Sequence, residues 1–391
     1  MPPSAEEAAR PATGVAEHQE WLERAQQAMD AKAKPPGSLG LLEQWAVRLS
    51  ALQRTLSPRL ESARLVVFAA DHGVTAEGQA PGVSAYPRAL TASVFRAVAG
   101  GKSACAALCA ANGVSLEVVD VGVDADLSAV SAAPGVSVVH AVVRRGGSCS
   151  MLAGPAMTQK ELGTALQAGA EAVQRAASGA NPATCVLCVG ELGIGNTTAA
   201  AAVLAALTGL PPEDVCGRGT GLDDAGLQLK CRTVAAALAA NAAGLASGDP
   251  LAALAAVGGL ELAAMAGAYL EAGRLGMPVL VDGFISGVAA ATAVQADPAA
   301  ARVQFWSHAS AERGAAAAAA AAGGAPALSM GLRLGEGSGA VLAVPLLRSA
   351  AALMSNMASL EAVLAAEAAA AAALPPAAPG KAAGQPADAT R

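Results

Sequence analysis

From residue 64 onward, short runs of β-branched and aliphatic residues alternate with long stretches rich in alanine and leucine. The β-rich runs lie at 65–70, 116–121, 136–142, 185–189, 279–281 and 303–306, and each is followed by polar or glycine-rich residues and then a helical stretch. Strands joined through helices run parallel and are buried on both faces, so the pattern predicts an α/β fold with a mostly parallel sheet covered by helices. Upstream, 21–29 and 39–56 read as helices. Between them, Lys34-Pro35-Pro36-Gly37-Ser38 cannot be helical and offers Ser38 as an N-cap. Residues 1–17 read as a disordered leader and 374–391, rich in proline, alanine and glycine, as a disordered tail. Residues 330–357 begin as a glycine-rich turn and continue as helix.

Hydrophobic residues make up 54% of the chain but aromatics only 2%, so the core must be built from Ala, Val and Leu with close backbone packing. The mean hydropathy of +0.44 is inflated by alanine. No uncharged, strongly apolar stretch of about 18 residues is present, so no membrane span is expected. The alanine run 315–322 meets Gly323, Gly324 and Pro326, a firm helix stop. With a net charge of −6 and no basic stripe, the chain lacks the electrostatic footprint of a nucleic-acid binder. The amino terminus is acidic and has no apolar core, which argues against a secretory signal, while organelle import stays open. Cys185 and Cys188 form a CxxC, but inside an apolar strand they face opposite ways and read as buried thiols. Cys105 and Cys109 share a helical face without a second ligand pair. A reducing, cytoplasmic compartment follows.

Polar groups recur where the strands end. Asp71-His72-Gly73 follows the first, Asp120 closes the second, Glu191 follows the fourth, Asp282-Gly283 ends the fifth and Ser307-His308 the sixth. Open parallel sheets bind ligands beyond their carboxyl ends, so these groups converge on one edge. Any single Asp is equally well a helix cap; together they favour a site.

Four segments carry candidate chemistry. Gly190-Glu191-Leu192-Gly193-Ile194-Gly195-Asn196-Thr197-Thr198 joins a strand to a helix, with Asn196 available as N-cap. It reads either as a phosphate cradle on a helix N-terminus or as a tight turn with a capped helix, and it is neither a Walker loop nor a dinucleotide fingerprint. In Arg333-Leu334-Gly335-Glu336-Gly337-Ser338-Gly339, glycines present one glutamate before an apolar helix. Glu336 is there either for a ligand or for the helix dipole, and a cap does not need flanking glycines. Cys216-Gly217-Arg218-Gly219-Thr220-Gly221-Leu222-Asp223-Asp224, with Lys230 in the next helix, suits an anion or a ribose or is a solvated connection; its acidic pair reads as an N-cap. In Ser307-His308-Ala309-Ser310, His308 could act as a base, but no nucleophile elbow accompanies it.

Ten motifs, KPPGSLGLLE, AADHGV, GVSAYP, VVDVGVDAD, GPAM, GELGIGNTT, GRGTGLDD, PVLVDGFISG, SHASAERGA and LRLGEGSGA, occur in one order between Lys34 and Met357. In them the chain resembles the nicotinate-nucleotide–dimethylbenzimidazole phosphoribosyltransferase family of cobalamin synthesis. The resemblance implies a Rossmann-like domain with helices on both faces over 61–345. It also implies a small helical domain from both chain ends (18–60 and 346–373) and a homodimer. It implies transfer of phosphoribosyl from nicotinate mononucleotide to 5,6-dimethylbenzimidazole, giving α-ribazole 5′-phosphate and nicotinate. Glu336 matches the general base and Glu191 a second active-site carboxylate. Asp71, Ser84, Tyr86, Gly193, Gly195, Asn196, Thr197, Gly217, Gly219, Lys230, Asp282, Ser310, Leu334 and Gly335 fall where substrates are held. No metal or other cofactor is implied, because departure of the pyridinium neutralises charge. One departure bears on base preference: after Tyr86-Pro87 the segment reads Thr91-Ala92-Ser93-Val94, where the family commonly has a glutamine. The competing readings are a non-enzymatic nucleotide sensor, which would not need Glu336 with Glu191, and a related transferase with another acceptor.

Overall fold

The computed structural model describes residues 10–373 except 77, 81 and 220. Six strands, β1 (Ser62–Ala70), β2 (Ser115–Gly122), β3 (Val136–His140), β4 (Cys185–Leu192), β5 (Val279–Val281) and β6 (Gln304–Trp306), form one sheet in the order β3-β2-β1-β4-β5-β6. Every pairing is parallel, so the expected mostly parallel sheet is wholly parallel among the described strands. The chain order reverses between β1 and β4, which opens a crevice at their carboxyl ends.

Successive side chains alternate faces. Val66, Phe68 and Ala70 of β1 join one core layer, while Leu65, Val67 and Ala69 join the other. The helices Gln159–Ala177, Asn196–Thr208, Leu260–Leu275 and Phe284–Ala296 cover the first face. The helices Leu41–Gln53, Leu90–Ala99, Ala104–Asn112 and Ser338–Asn356 cover the second. Cys185 enters the first layer and Cys188 the second, as the strand period requires. Small residues let backbones touch. A Cβ on Gly169 would stand 1.8 Å from Ala264 O, and one on Gly267 would stand 2.1 Å from Leu166 O, so Gln159–Ala177 and Leu260–Leu275 pack backbone to backbone. The scarce aromatics do local work: Trp45 meets Phe305 of β6 edge-on at 5.6 Å.

Several boundaries differ from expectation. The first helix, Arg10–Asp30, includes residues 10–17 of the expected leader; residues 1–9 and the tail 374–391 lie outside the described residues. Ser38 does not cap the second helix. Gly40 takes that position without a side-chain bond, and Glu43 from inside the helix accepts the Gly37 and Leu39 N–H groups at 3.1 and 2.8 Å. Lys34 pairs with the same carboxylate at 2.8 Å, which folds the proline-rich segment back on the helix. The helix Ser338–Asn356 runs through residue 345 without a break and shares its core layer with Trp45 and Leu49 of the N-terminal helices. By length and composition, that helix and the stretch Leu90–Asn112 could cross a membrane. Val341, Val344 and Leu347 of the former nevertheless sit fully buried in the core.

Candidate active site

A cavity of about 570 Å³ opens at the carboxyl ends of the strands and is lined by groups from six of the ten sequence motifs. Glu336 carries the least ordinary backbone in it. Its φ is 57°, between Gly335 at 84° and Gly337 at 71°, so three successive residues are left-handed. The two flanking positions disfavour a side chain through their positive φ, and a Cβ there would also press on its neighbours, 2.3 Å from Glu191 Oε1 at Gly335 and 2.2 Å from Leu65 Cδ1 at Gly337. A Cβ on Gly190 would lie 2.5 Å from Gly337 N, so the end of β4 and the glutamate turn interlock.

The structure separates the two readings that the sequence left open for Glu336. Asp282, at the end of β5, accepts the N–H groups of Gly337, Gly339 and Ala340 at 3.2, 2.7 and 3.0 Å. The helix start is therefore served by Asp282, and Glu336 is not its cap. Burial pushes the Asp282 carboxyl up to about 7, against the backbone donors that lower it. Glu336 Oε2 is buried without a hydrogen-bond partner among the described residues. Burial raises its carboxyl above the ordinary range, and the adjoining Cys105 thiol and amide pull it part of the way back.

Glu191 is buried at the end of β4 and receives the Asn196 side-chain amide. Burial raises its carboxyl well above the usual range, and the charges of Asp282, Glu261 and Glu336 act in the same direction. Asn196 is thus not the expected N-cap: left-handed Gly195 holds that place, and Asn196 inside the first turn turns back to Glu191. Thr197 Oγ1 accepts from Lys230 Nζ at 2.8 Å, and Lys230 also donates to Gly217 O at 3.1 Å. An ammonium has three N–H donors, so one remains for an anion. Burial lowers the Lys230 pKa. Asp223 caps its helix through Gly226 N, as expected of the acidic pair.

Tyr86, Gly193, Gly219, Ser310, Leu334 and Gly335 also line the cavity. Gly217 lines an adjoining cavity of about 630 Å³ with Arg218, Arg313 and Arg333. Asp71, Ser84, Gly195 and Lys230 do not reach the wall. Asp71 Oδ2 accepts Asp124 N–H at 2.8 Å and so ties the end of β1 to the loop after β2, while Ser84 Oγ accepts Tyr86 N–H at 3.3 Å. Several contributors were outside the candidate set, Arg333, Leu90 and Val94 among them. Arg333 donates to Gly219 O at 3.1 Å, joining two glycine-rich motifs. Leu90 and Val94 supply apolar wall from the segment that departs from the family pattern. Arg333 was within a recognised motif; the two aliphatic residues carried no local signal. His308 lies buried at the edge, with Nδ1 3.1 Å from Ser307 Oγ and 3.8 Å from Asp282 Oδ1, and burial lowers its pKa.

The phosphoribosyltransferase family profile matches residues 16–363, and a parallel sheet with a cavity at its switch point is suited to hold a small ligand. The chain is a phosphoribosyltransferase. A nicotinate-nucleotide–dimethylbenzimidazole phosphoribosyltransferase from Chromobacterium violaceum is 48% identical over 339 residues, covering 86% of this chain and 93% of that one. One from Pseudomonas putida is 45% identical over 341 residues, covering 86% and 92%. The crystal structure of the Thermus thermophilus enzyme of that name superposes with a TM-score of 0.78 at 43% identity, covering 88% of this chain and 97% of that one. The chain belongs to the nicotinate-nucleotide–dimethylbenzimidazole phosphoribosyltransferase family.

Proposed function

We propose that this protein transfers the 5-phosphoribosyl group of nicotinate mononucleotide to 5,6-dimethylbenzimidazole or a related base, giving α-ribazole 5′-phosphate and nicotinate for the nucleotide loop of cobalamin. The observation that carries this is Glu336: a half-buried carboxylate, held left-handed at the cavity wall, whose Oε2 is buried without a hydrogen-bond partner among the described residues. A carboxylate with a raised pKa and one unpartnered oxygen is suited to take a proton.

In the reaction, the free imidazole nitrogen of the base attacks C1′ while the bond from C1′ to the pyridinium nitrogen breaks. The electron pair stays with that nitrogen, nicotinate leaves with its ring neutral, and the imidazole N–H proton passes to Glu336. Attack on the face opposite the leaving ring converts a β-nucleotide to an α-product. Lys230, the turn Gly217–Gly219 and the N-terminus of Asn196–Thr208 are placed to hold the phosphate and ribose. Apolar Leu90, Val94 and Leu334 suit the benzimidazole ring. Glu191 is the second carboxylate, and it also supports the Glu336 turn. The resemblance further supports a cytoplasmic homodimer.

The test is product formation from nicotinate mononucleotide with 5,6-dimethylbenzimidazole or adenine in separate reactions, with chelator present. An α-ribotide is expected, and the ratio of rates reports base preference. Binding of the nucleotide with no product from either base would remove the proposed acceptor.

A further inference from the structure

Beneath the Gly193–Asn196 turn lies a buried ionisable pair that the reaction as written does not use. His72 Nε2 stands 2.7 Å from Glu261 Oε1, with side chains 1% and 0% exposed. His72 follows β1, and Glu261 is in the first turn of the helix Leu260–Leu275. Each partner keeps a buried polar atom without a hydrogen bond among the described residues, His72 Nδ1 and Glu261 Oε2. Withdrawing such groups from water is costly, and apolar replacements of similar volume are often neutral or stabilising. Stability alone therefore gives little reason for this pair.

Its surroundings give another. Room for the imidazole is made by Gly259, and Gly193 and Gly195 lie within ordinary contact range of the same residue. An added Cβ would stand 3.4 Å from His72 Nε2 at Gly193, 3.4 Å from His72 Cβ at Gly195 and 2.4 Å from His72 Cε1 at Gly259. The first two belong to the turn that leads into Asn196 and Thr197. Next to the ring, Thr75 Oγ1 donates to His72 O at 2.8 Å and lies 3.5 Å from Ile194 O, a second contact between this segment and the turn. The ring thus bears on the turn from below, while Glu261 holds it from behind.

We propose that His72 and Glu261 form a positioning pair that holds the turn 193–197 in register with the cavity. The pair touches no reacting atom; it sets where Thr197 and the helix N-terminus meet the nucleotide. The idea rests on the proposed function, in which this turn holds the nucleotide. The pair also bears on Glu191, since Glu261 is among the charges that raise that carboxyl.

The test compares His72→Leu/Glu261→Leu, His72→Gln and Glu261→Gln with the parent protein. The readouts are Tm, calorimetric affinity for nicotinate mononucleotide, and KM for each substrate. The double leucine variant is expected to melt no lower than the parent. Its nucleotide Kd and KM should rise on the order of tenfold to a hundredfold, as misplaced binding groups do. KM for the base, whose apolar wall comes from other elements, should stay within about twofold. Glu261→Gln retains an oxygen facing His72 Nε2 and should keep most of the nucleotide affinity. Unchanged nucleotide affinity in the double variant, or in His72→Gln if the double variant does not fold, overturns the proposal, as does an equal loss for both substrates. A parent protein that neither binds nor turns over the nucleotide counts instead against the proposed function.

Discussion

At Glu336 the backbone bears a cost that a surface turn would not require. A non-glycine residue in the left-handed region is disfavoured by roughly 1–2 kcal/mol, and the interlock with Gly190 and Glu191 holds it there. Glu336→Gln keeps the shape and removes the base. It should fold with a Tm near the parent value and lose on the order of a hundredfold or more in kcat; near-parental turnover would remove Glu336 as the base. With its carboxyl raised by burial, the acid limb of kcat/KM should fall above the ordinary carboxylate range and vanish in the variant. Glu191 gives a stability prediction with a definite sign. Its folded pKa is raised, so the folded state keeps the proton longer than the unfolded chain does. Its contribution is present in full below the unfolded value near 4.5 and is lost as pH rises toward the folded value. The stability of Glu191→Gln relative to the parent should therefore grow from about pH 4.5 upward. Denaturant titrations across pH check this, and a gap that narrows with pH would contradict the buried-acid reading.

At the scale of elements, the site depends on one cap. The start of Ser338–Asn356 is tied to β5 by Asp282, and that helix carries the glutamate turn at its front. Asp282→Ala leaves three backbone N–H groups without their acceptor, an expected loss of about 1–3 kcal/mol. Asp282→Asn can keep Oδ1 for Gly339 and Ala340 and should lose less. Both variants should also lower kcat, because the turn before the helix loosens with it. Chemical denaturation beside single-turnover rates checks the order of the two. An alanine variant as active and as stable as the parent would mean that the cap does not hold the turn.

For the whole molecule, the proposed homodimer predicts a sedimentation mass near twice the 37.8 kDa of one chain. The helix Leu360–Ala372 leaves Leu360, Val363 and Leu364 exposed, and we assign this face to the interface. Charge at those three positions should then shift the mass toward the monomer, and a monomeric parent would remove the dimer.

Local pattern determined a good deal. The alternation of strand and helix follows from side-chain periodicity and from glycine and proline signals within a few residues, so the α/β class, the strands and the turns at Gly193–Asn196 and Gly335–Gly337 were legible in the chain alone. So was the gathering of Glu191, Asp282 and His308 at one edge, because parallel strands deliver their carboxyl ends to the same side; Glu336 ends no strand, and only the resemblance joined it to Glu191. Tertiary structure decided which group does what. Asp282 reaches residues 337–340, Asn196 turns back to Glu191, Asp71 binds Asp124 away from the cavity, and His72 finds Glu261. The physical reason is that a carboxylate's role depends on which donors lie within about 3 Å of it. Most of those donors arrive from distant parts of the chain, brought there by the strand order and by helices packed at the distance that glycine and alanine allow.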